Sequence, residues 1–445
     1  MALPWSGWVS ELRSADSIRD TDTDRKLHYE PALEGLRSIL LLFVVVFHAQ
    51  TYLLQLGGED LVKGFGVMST FFMLTGFLVG SIVLGNWAKS GSIGYGKYLY
   101  RRVTRIGIPV LLYVVVHLAV AAAMGWPMFT YGRTLGELWT DLSIITFTSN
   151  LVPGFGYQVP YDAGQMWSLG VDFQLYLILP LVILFCLTRM DRPSRIVLIA
   201  AGVCVLVHIV RFFEFRHVYA GPEVASTAAG TIAINSVYQR PEASLDCFIV
   251  GFVLQVLWRK RLLPVRLFQK LSIPAVLAFL AVVFFIPVKS PLVYTIGYPI
   301  VLVVGCVLLS ESLRSGSVIA RALSSYPLRV IGRLSFTLYI WHLFVFMLTG
   351  ELVGSSAGTA VRLAVGIPFL IVASTLAWLI AERPLVRLPP VGFPLWVTRR
   401  TNRPRAGGRA MGSHRDPALH ADGGDGIVVT ERSGPGDASD AAVRR

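Results

Sequence analysis

The chain alternates long uncharged runs with short clusters of charge. Ten apolar runs stand out: 37–56, 65–85, 106–126, 166–188, 195–213, 242–258, 271–288, 291–311, 329–349 and 361–381. A hydrocarbon core about 30 Å thick takes roughly 20 apolar residues of helix, and the runs are of that order. The pattern predicts an all-α polytopic membrane protein with about ten transmembrane helices. The seventh and eighth runs are parted only by "IPVKSPL", where Pro287 and Pro291 mark a tight turn. Residues 1–35 are polar and charged, which sets the first span too deep for a cleaved signal peptide.

Composition agrees with this pattern. Only 15% of the residues are charged and 54% are hydrophobic, whereas soluble domains are nearer one-quarter charged. The net charge of +13 raises the question of nucleic acid; the placement of the cations answers it. Lys89, Lys97, Arg101, Arg102 and Arg105 precede span three. Arg189, Arg192 and Arg195 precede span five. Arg259, Lys260, Arg261, Arg266 and Lys270 precede span seven, and Arg314, Arg321 and Arg329 precede span nine. The intervening loops are poor in Lys and Arg. Basic loops stay cytoplasmic, so both termini are expected inside, and the basic balance needs no nucleic-acid partner. Cys186, Cys204, Cys247 and Cys306 lie singly in apolar runs. Their spacing fits neither a metal site nor a disulfide framework, and neither is expected.

Three parts follow: a cytoplasmic N-terminal segment (1–35), a ten-helix membrane domain (36–388) and a polar, basic cytoplasmic tail (389–445). The tail is rich in Arg, Gly, Asp and Pro, a composition with little to bury and expected to be disordered. No second globular domain and no internal repeat are expected. The longest external segments are 127–165 and 214–241, the first turn-rich enough to cover the outer mouth of the bundle.

Ionisable residues inside spans usually face a bundle interior or a wet cavity. Arg37 opens the first run, and His48 lies eleven residues on, about 16 Å up a helix axis. Asp172 enters span four about 9 Å below its outer end. On these counts His48 and Asp172 share a depth. A carboxylate beside an imidazole fixes its tautomer and stabilises the imidazolium. His117, His208 and His342 fall at about the same height, and His117 and His208 are read as core histidines satisfied by hydrogen bonds. Intramembrane His and Asp also suit a proton relay, so a proton-coupled secondary transporter is the second functional class.

The surroundings of His48 single it out. "LEGLRSILLLFVVVFH" (33–48), "FFMLTGF" (71–77), "RRVTRIGIP" (101–109), "WSLGVDFQLYLILP" (167–180), "LDCFIVG" (245–251), "SFTLYIWH" (335–342) and "AERP" (381–384) occur in that order. The set resembles the acyltransferase-3 family of integral membrane O-acyltransferases over roughly residues 30–388. Asp172 stands where the family usually has Glu, and Thr75 where it usually has Ser. The resemblance implies transfer of an acyl group, often acetyl, from cytoplasmic acyl-CoA to a hydroxyl of a sugar-containing acceptor: an envelope glycan, a glycolipid or a secreted metabolite. It implies a multi-pass protein of the inner (plasma) membrane. His48 becomes the general base and Asp172 its orienting carboxylate. Arg37, Arg102 and Arg105 become the sites for the coenzyme phosphates, since a guanidinium presents a rigid fork to phosphate. Trp167, Ser168, Tyr176, Asp246 and His342 are candidate acceptor-side residues, and Glu382 is expected to pair with a cytoplasmic arginine. Direct attack on the thioester and an acyl-histidine route both remain open.

Overall fold

Apolar runs bounded by glycine, proline and charge fold as helices, and the computed structural model follows that punctuation. It describes residues 4–19, 24–27, 29–56, 61–190, 192–354 and 356–384. The basic tail expected over 389–445 lies outside them. In chain order the α-helices are α1 (Pro4–Ser14), α2 (Pro31–Tyr52), α3 (Val67–Ser90), α4 (Tyr95–Met124), α5 (Glu137–Ile145) and α6 (Met166–Arg189). Then come α7 (Pro193–Val218), α8 (Pro222–Ser226), α9 (Ala228–Tyr238), α10 (Leu245–Arg259) and α11 (Val265–Phe285). The last are α12 (Tyr298–Ser312), α13 (Val318–Leu323), α14 (Tyr326–Val353) and α15 (Thr359–Ala377). Among the described residues, nine helices are long and apolar enough to cross a membrane, or ten counting one bent pair. The fold is the all-helical, multi-pass membrane architecture expected.

Boundaries moved where local chemistry overrode hydropathy. Helix α2 starts at Pro31, six residues before Arg37, because proline suits the first helical turn and Glu34 suits its positive end. Gly91 (φ 64°) and Gly94 (φ 60°) turn the chain sharply between α3 and α4 in a conformation L-residues rarely adopt. The sixth span is not one rod. Helix α10 has 15 residues, about 22 Å of rise, too little for the hydrocarbon core. Helix α9 supplies the rest, joined to the segment Glu242–Arg259 at a 66° bend. Pro241 sits at the break, where it cannot donate a backbone hydrogen bond. Part of the external segment read as 214–241 therefore belongs to the bundle. The N-terminal segment is fastened to the end of α10 and the turn after it: the Trp8 indole donates to the Leu262 carbonyl (2.6 Å), and Asp24 pairs with Arg259 and Lys260.

Among the described residues the core falls into four clusters, and the two largest share α3 and α10. Small residues let these helices touch. A Cβ at Gly76 would meet the Phe248 carbonyl oxygen at 2.1 Å, and one at Gly251 the Met73 carbonyl oxygen at 2.0 Å. Two of the quoted segments, "FFMLTGF" and "LDCFIVG", thus form one backbone-to-backbone crossing, the usual use of small residues between membrane helices. Gly76→Val should cost about 1–3 kcal/mol or more, as overpacking does; thermal unfolding in detergent checks it, and an unchanged midpoint would refute the crossing. Outward-facing apolar side chains such as Leu198 (74% exposed) and Phe213 (65%) on α7 present a lipid-facing surface.

Helices α2 and α14 run parallel, and their contact sets up the site. A Cβ at Gly332 would meet the Glu34 carbonyl oxygen at 2.5 Å, and just before α14 the end of α13 comes as close, with the Leu323 carbonyl oxygen 1.8 Å from a Cβ at Gly35. The Ser38 hydroxyl donates to the Leu328 carbonyl across the same crossing. Ten residues beyond Ser38 comes His48, and ten beyond Gly332 comes His342, each about 15 Å up its axis.

Candidate active site

At that height the two imidazoles meet. His48 Nδ1 lies 3.1 Å from His342 Nε2, with ring centroids 5.0 Å apart. The other contacts fix the protons. His342 Nδ1 is 2.6 Å from the Tyr339 carbonyl oxygen, which can only accept, so Nδ1 carries the hydrogen and Nε2 the lone pair. His48 Nδ1 is 3.0 Å from the Val44 carbonyl oxygen and therefore donates, shared between that oxygen and His342 Nε2. This assignment follows from the hydrogen-bond network. It leaves the His48 Nε2 lone pair as the site's free base. His342 is fully buried, while His48 is half-buried.

Asp172 is not the partner of this ring. Its carboxylate lies within hydrogen-bonding reach of the Thr75 side chain, and its charged neighbours are Arg102 and Arg37. Matching depths had suggested an Asp172–His48 contact. Depth fixes height along the bundle but not the face a side chain occupies, and α14 fills the place beside His48. Tyr176 joins the same arginine cluster. The Arg102 guanidinium lies over the Tyr176 ring (4.8 Å) and the Tyr98 ring (5.6 Å). Arg37 sits among Arg105, Tyr176, Arg102 and Glu34. Arg105 marks the outer rim of the cluster, its side chain 57% exposed and 3.9 Å from Glu382, the pairing expected for Glu382. Arg37 is six residues and Arg102 seven residues inside their helix starts, about 9–10 Å along each axis, so both stand on helix where hydropathy had drawn the ends of the runs.

A line of polar groups joins the arginines to the histidines. One turn above Asp172 on α6, Ser168 Oγ is 2.5 Å from the Tyr339 hydroxyl. That hydroxyl donates to the Gln165 carbonyl (2.9 Å), and the Gln165 amide donates to the Ile340 carbonyl (2.7 Å). These bonds lash the start of α6 to α14 beside His342. Trp167 packs edge-on to Phe72 (6.0 Å between centroids) and against Tyr238 (5.1 Å), in the aromatic wall below the outer segment.

Asp246, a candidate acceptor-side residue, has an arginine beside it. It is fully buried and 2.8 Å from Arg211, whose guanidinium lies 3.6 Å from the Tyr298 ring centroid and also donates to the Ala243 carbonyl. The ion pair ties α7 to α10, while Asp246 Oδ2 and Arg211 Nε and Nη1 are buried without a hydrogen-bond partner among the described residues. Removing one partner of a buried pair typically costs about 3–5 kcal/mol. Asp246→Ala should therefore lower the thermal midpoint in detergent; a raised KM for acceptor with the midpoint unchanged would place it in the ligand site instead.

Residues 30–382 match the family model described as an acyltransferase domain. The chain belongs to the acyltransferase-3 family. It is similar to O-acetyltransferase OatA of Staphylococcus aureus (strain NCTC 8325), 23% identical over 335 residues, covering 71% of this chain and 50% of that one. It is also similar to peptidoglycan O-acetyltransferase OatA of Listeria monocytogenes, 24% identical over 348 residues, covering 74% and 51%. The chain spans about half the length of these relatives. No solved structure matches it. Family membership and the spans make it a multi-pass protein of the plasma membrane built on an acyltransferase domain.

One cluster went unread in the sequence. His117 is fully buried, with Nδ1 2.8 Å from Asp141 Oδ2 and Nε2 2.8 Å from Asp162 Oδ2 and 3.5 Å from Glu137 Oε2. It is satisfied as expected, but by carboxylates from outside the spans. Burial, reinforced by Asp162, pushes the Glu137 carboxyl up to about 8; burial also raises Asp141. Glu137 and Asp141 stand four apart on one face of α5, a spacing present in the sequence but not read as a site.

Proposed function

We propose that the protein is an O-acyltransferase that moves a short acyl group, acetyl above all, from cytoplasmic acyl-CoA to a hydroxyl of a cell-wall glycan. The observation that carries this reading is the His48–His342 pair standing above the cluster of Arg37, Arg102 and Arg105, with His48 and Arg37 on the same helix, α2. With both termini inside, Arg37, Arg102 and Arg105 face the coenzyme from the cytoplasmic side. Their charge and planar forks suit its phosphates, and the pantetheine arm extends along the polar line past Asp172 and Ser168. Asp172 then holds Arg37 and Arg102 in place between turnovers.

His48 Nε2 takes the proton of the acceptor hydroxyl as that oxygen attacks the thioester carbonyl. His342 Nε2 accepts from the Nδ1 hydrogen and stabilises the imidazolium, the part a carboxylate plays in many hydrolases. Collapse of the tetrahedral intermediate expels the thiolate, which leaves with the proton from His48. The acyl-histidine route uses the same nitrogen as nucleophile. The acceptor class follows the relatives' names, since one acts on peptidoglycan.

The test is inside-out membrane vesicles carrying the protein, loaded with glycan acceptor and given labelled acetyl-coenzyme A from the medium. Label in an ester on the glycan, absent from vesicles without the protein, supports the reading. Proton-coupled flux of an unmodified solute with no ester formed would make it a transporter instead.

A further inference from the structure

We propose that His117, Glu137 and Asp162 bind a divalent transition-metal ion of the zinc–manganese class, with Asp141 orienting the imidazole, and that the ion fastens the outer segment 126–165 to α4. This inference is independent of the reading of the histidine pair.

The geometry is that of a ligand set. One atom from each of the three residues lies within 4.8 Å of the others, and all three residues are buried. The side chains are 0%, 6% and 3% exposed for His117, Glu137 and Asp162. They come from three separate segments: α4, α5 and the single turn Tyr161–Ala163.

Charge supplies the second argument. Three carboxylates converge on one imidazole, and among the described residues no Lys or Arg pairs with any of them. Glu137 Oε2, Asp141 Oδ1 and Asp162 Oδ1 are buried with no hydrogen-bond partner. Buried charges are normally paired or coordinate a metal. A dication would take the place of the protons that otherwise neutralise these carboxyls, and would engage Glu137 Oε2, which has no hydrogen-bond partner.

The donor types choose the ion. One imidazole with carboxylates favours borderline and harder divalent metals, whereas magnesium and calcium take oxygen almost alone. Asp141 on Nδ1 leaves Nε2 to face Glu137 and Asp162, the usual carboxylate–histidine–metal arrangement. Tyr113 stacks on the His117 ring (5.3 Å, 14°), and Phe344 closes another side (5.3 Å). The wall is aromatic and the site preorganised. Tyr113 also touches Trp341 (5.5 Å), the neighbour of His342, so the fastened segment abuts the catalytic pair through one aromatic layer.

The experiment uses the full chain purified in detergent, stripped with chelator, then incubated separately with Zn2+ and Mn2+ and desalted. Bound metal per chain and the thermal midpoint are measured. One ion per chain and a raised midpoint are expected, with the ion lost in the Glu137→Gln/Asp162→Asn double variant. Asp141→Asn should weaken affinity about 10–100-fold without abolishing it, as loss of an orienting partner does. If the double variant does not fold, X-ray absorption on the metal-loaded parent decides, with one imidazole in an otherwise oxygen shell expected. Failure of the parent to retain either ion, retention by a folded double variant, or a shell holding sulfur or no imidazole would each overturn the site and leave a cluster that holds protons alone.

Discussion

Replacing His48 with alanine should lower acyl transfer about 10²–10⁴-fold, the contribution expected of a positioned base, with the protein still folded. The ring's Nε2 is the one imidazole nitrogen of the pair not engaged by a backbone carbonyl or the other histidine. His342→Phe should cost about 13–160-fold, since a hydrogen bond to a charged group contributes about 1.5–3 kcal/mol. His342→Gln, which keeps an acceptor oxygen, should recover part of that loss. Labelled-ester formation in vesicles reads all three variants. His208→Ala on α7 is the proper control; His117→Ala is not, because His117 carries its own buried cluster. Undiminished transfer in a folded His48→Ala protein would end the assignment.

The second large effect belongs to Arg102. Tyr98 and Tyr176 hold its guanidinium between them, so its orientation is set before any ligand arrives. Arg102→Ala should raise the KM for acyl-CoA about 10–100-fold at low salt, in keeping with a charge-assisted contact of about 1.5–3 kcal/mol, while kcat changes little. Arg102→Lys should restore only part, because an ammonium lacks the planar fork and stacks poorly. The effect should shrink as salt screens the exposed rim. A kcat defect with KM unchanged would move Arg102 from the donor site to the chemistry.

The spans were legible because hydrocarbon thickness leaves a strong imprint on composition. The bend in the sixth span was not, since "VYQRPEAS" reads as loop while Pro241 merely breaks a continuing helix. Arg37 and His48 were visible as costly residues in an apolar run. Their partners were harder. Heights along the bundle can be counted from sequence, but the face each residue presents depends on which helices are neighbours. Asp172 matched His48 in height and went to the arginines; His342 matched it equally and met the ring. Asp246 was visible as a costly residue, but its partner Arg211, 35 residues away, was not. Glu137, Asp141 and Asp162 were hidden for a simpler reason: acidic residues in a polar loop look ordinary until the loop folds over a buried imidazole.

The contact of Gly35 and Gly332 with opposing main chain has a consequence for how such a protein can diversify. The two imidazoles are held in mutual register by a crossing about 15 Å below them, made of backbone atoms that tolerate no added carbon. On the proposed reading, sequence drift in the connecting loops can thus change what reaches the site while the histidine pair is inherited unchanged. A chimera carrying a relative's loops on this scaffold should alter which glycan is esterified before it alters the rate of ester formation.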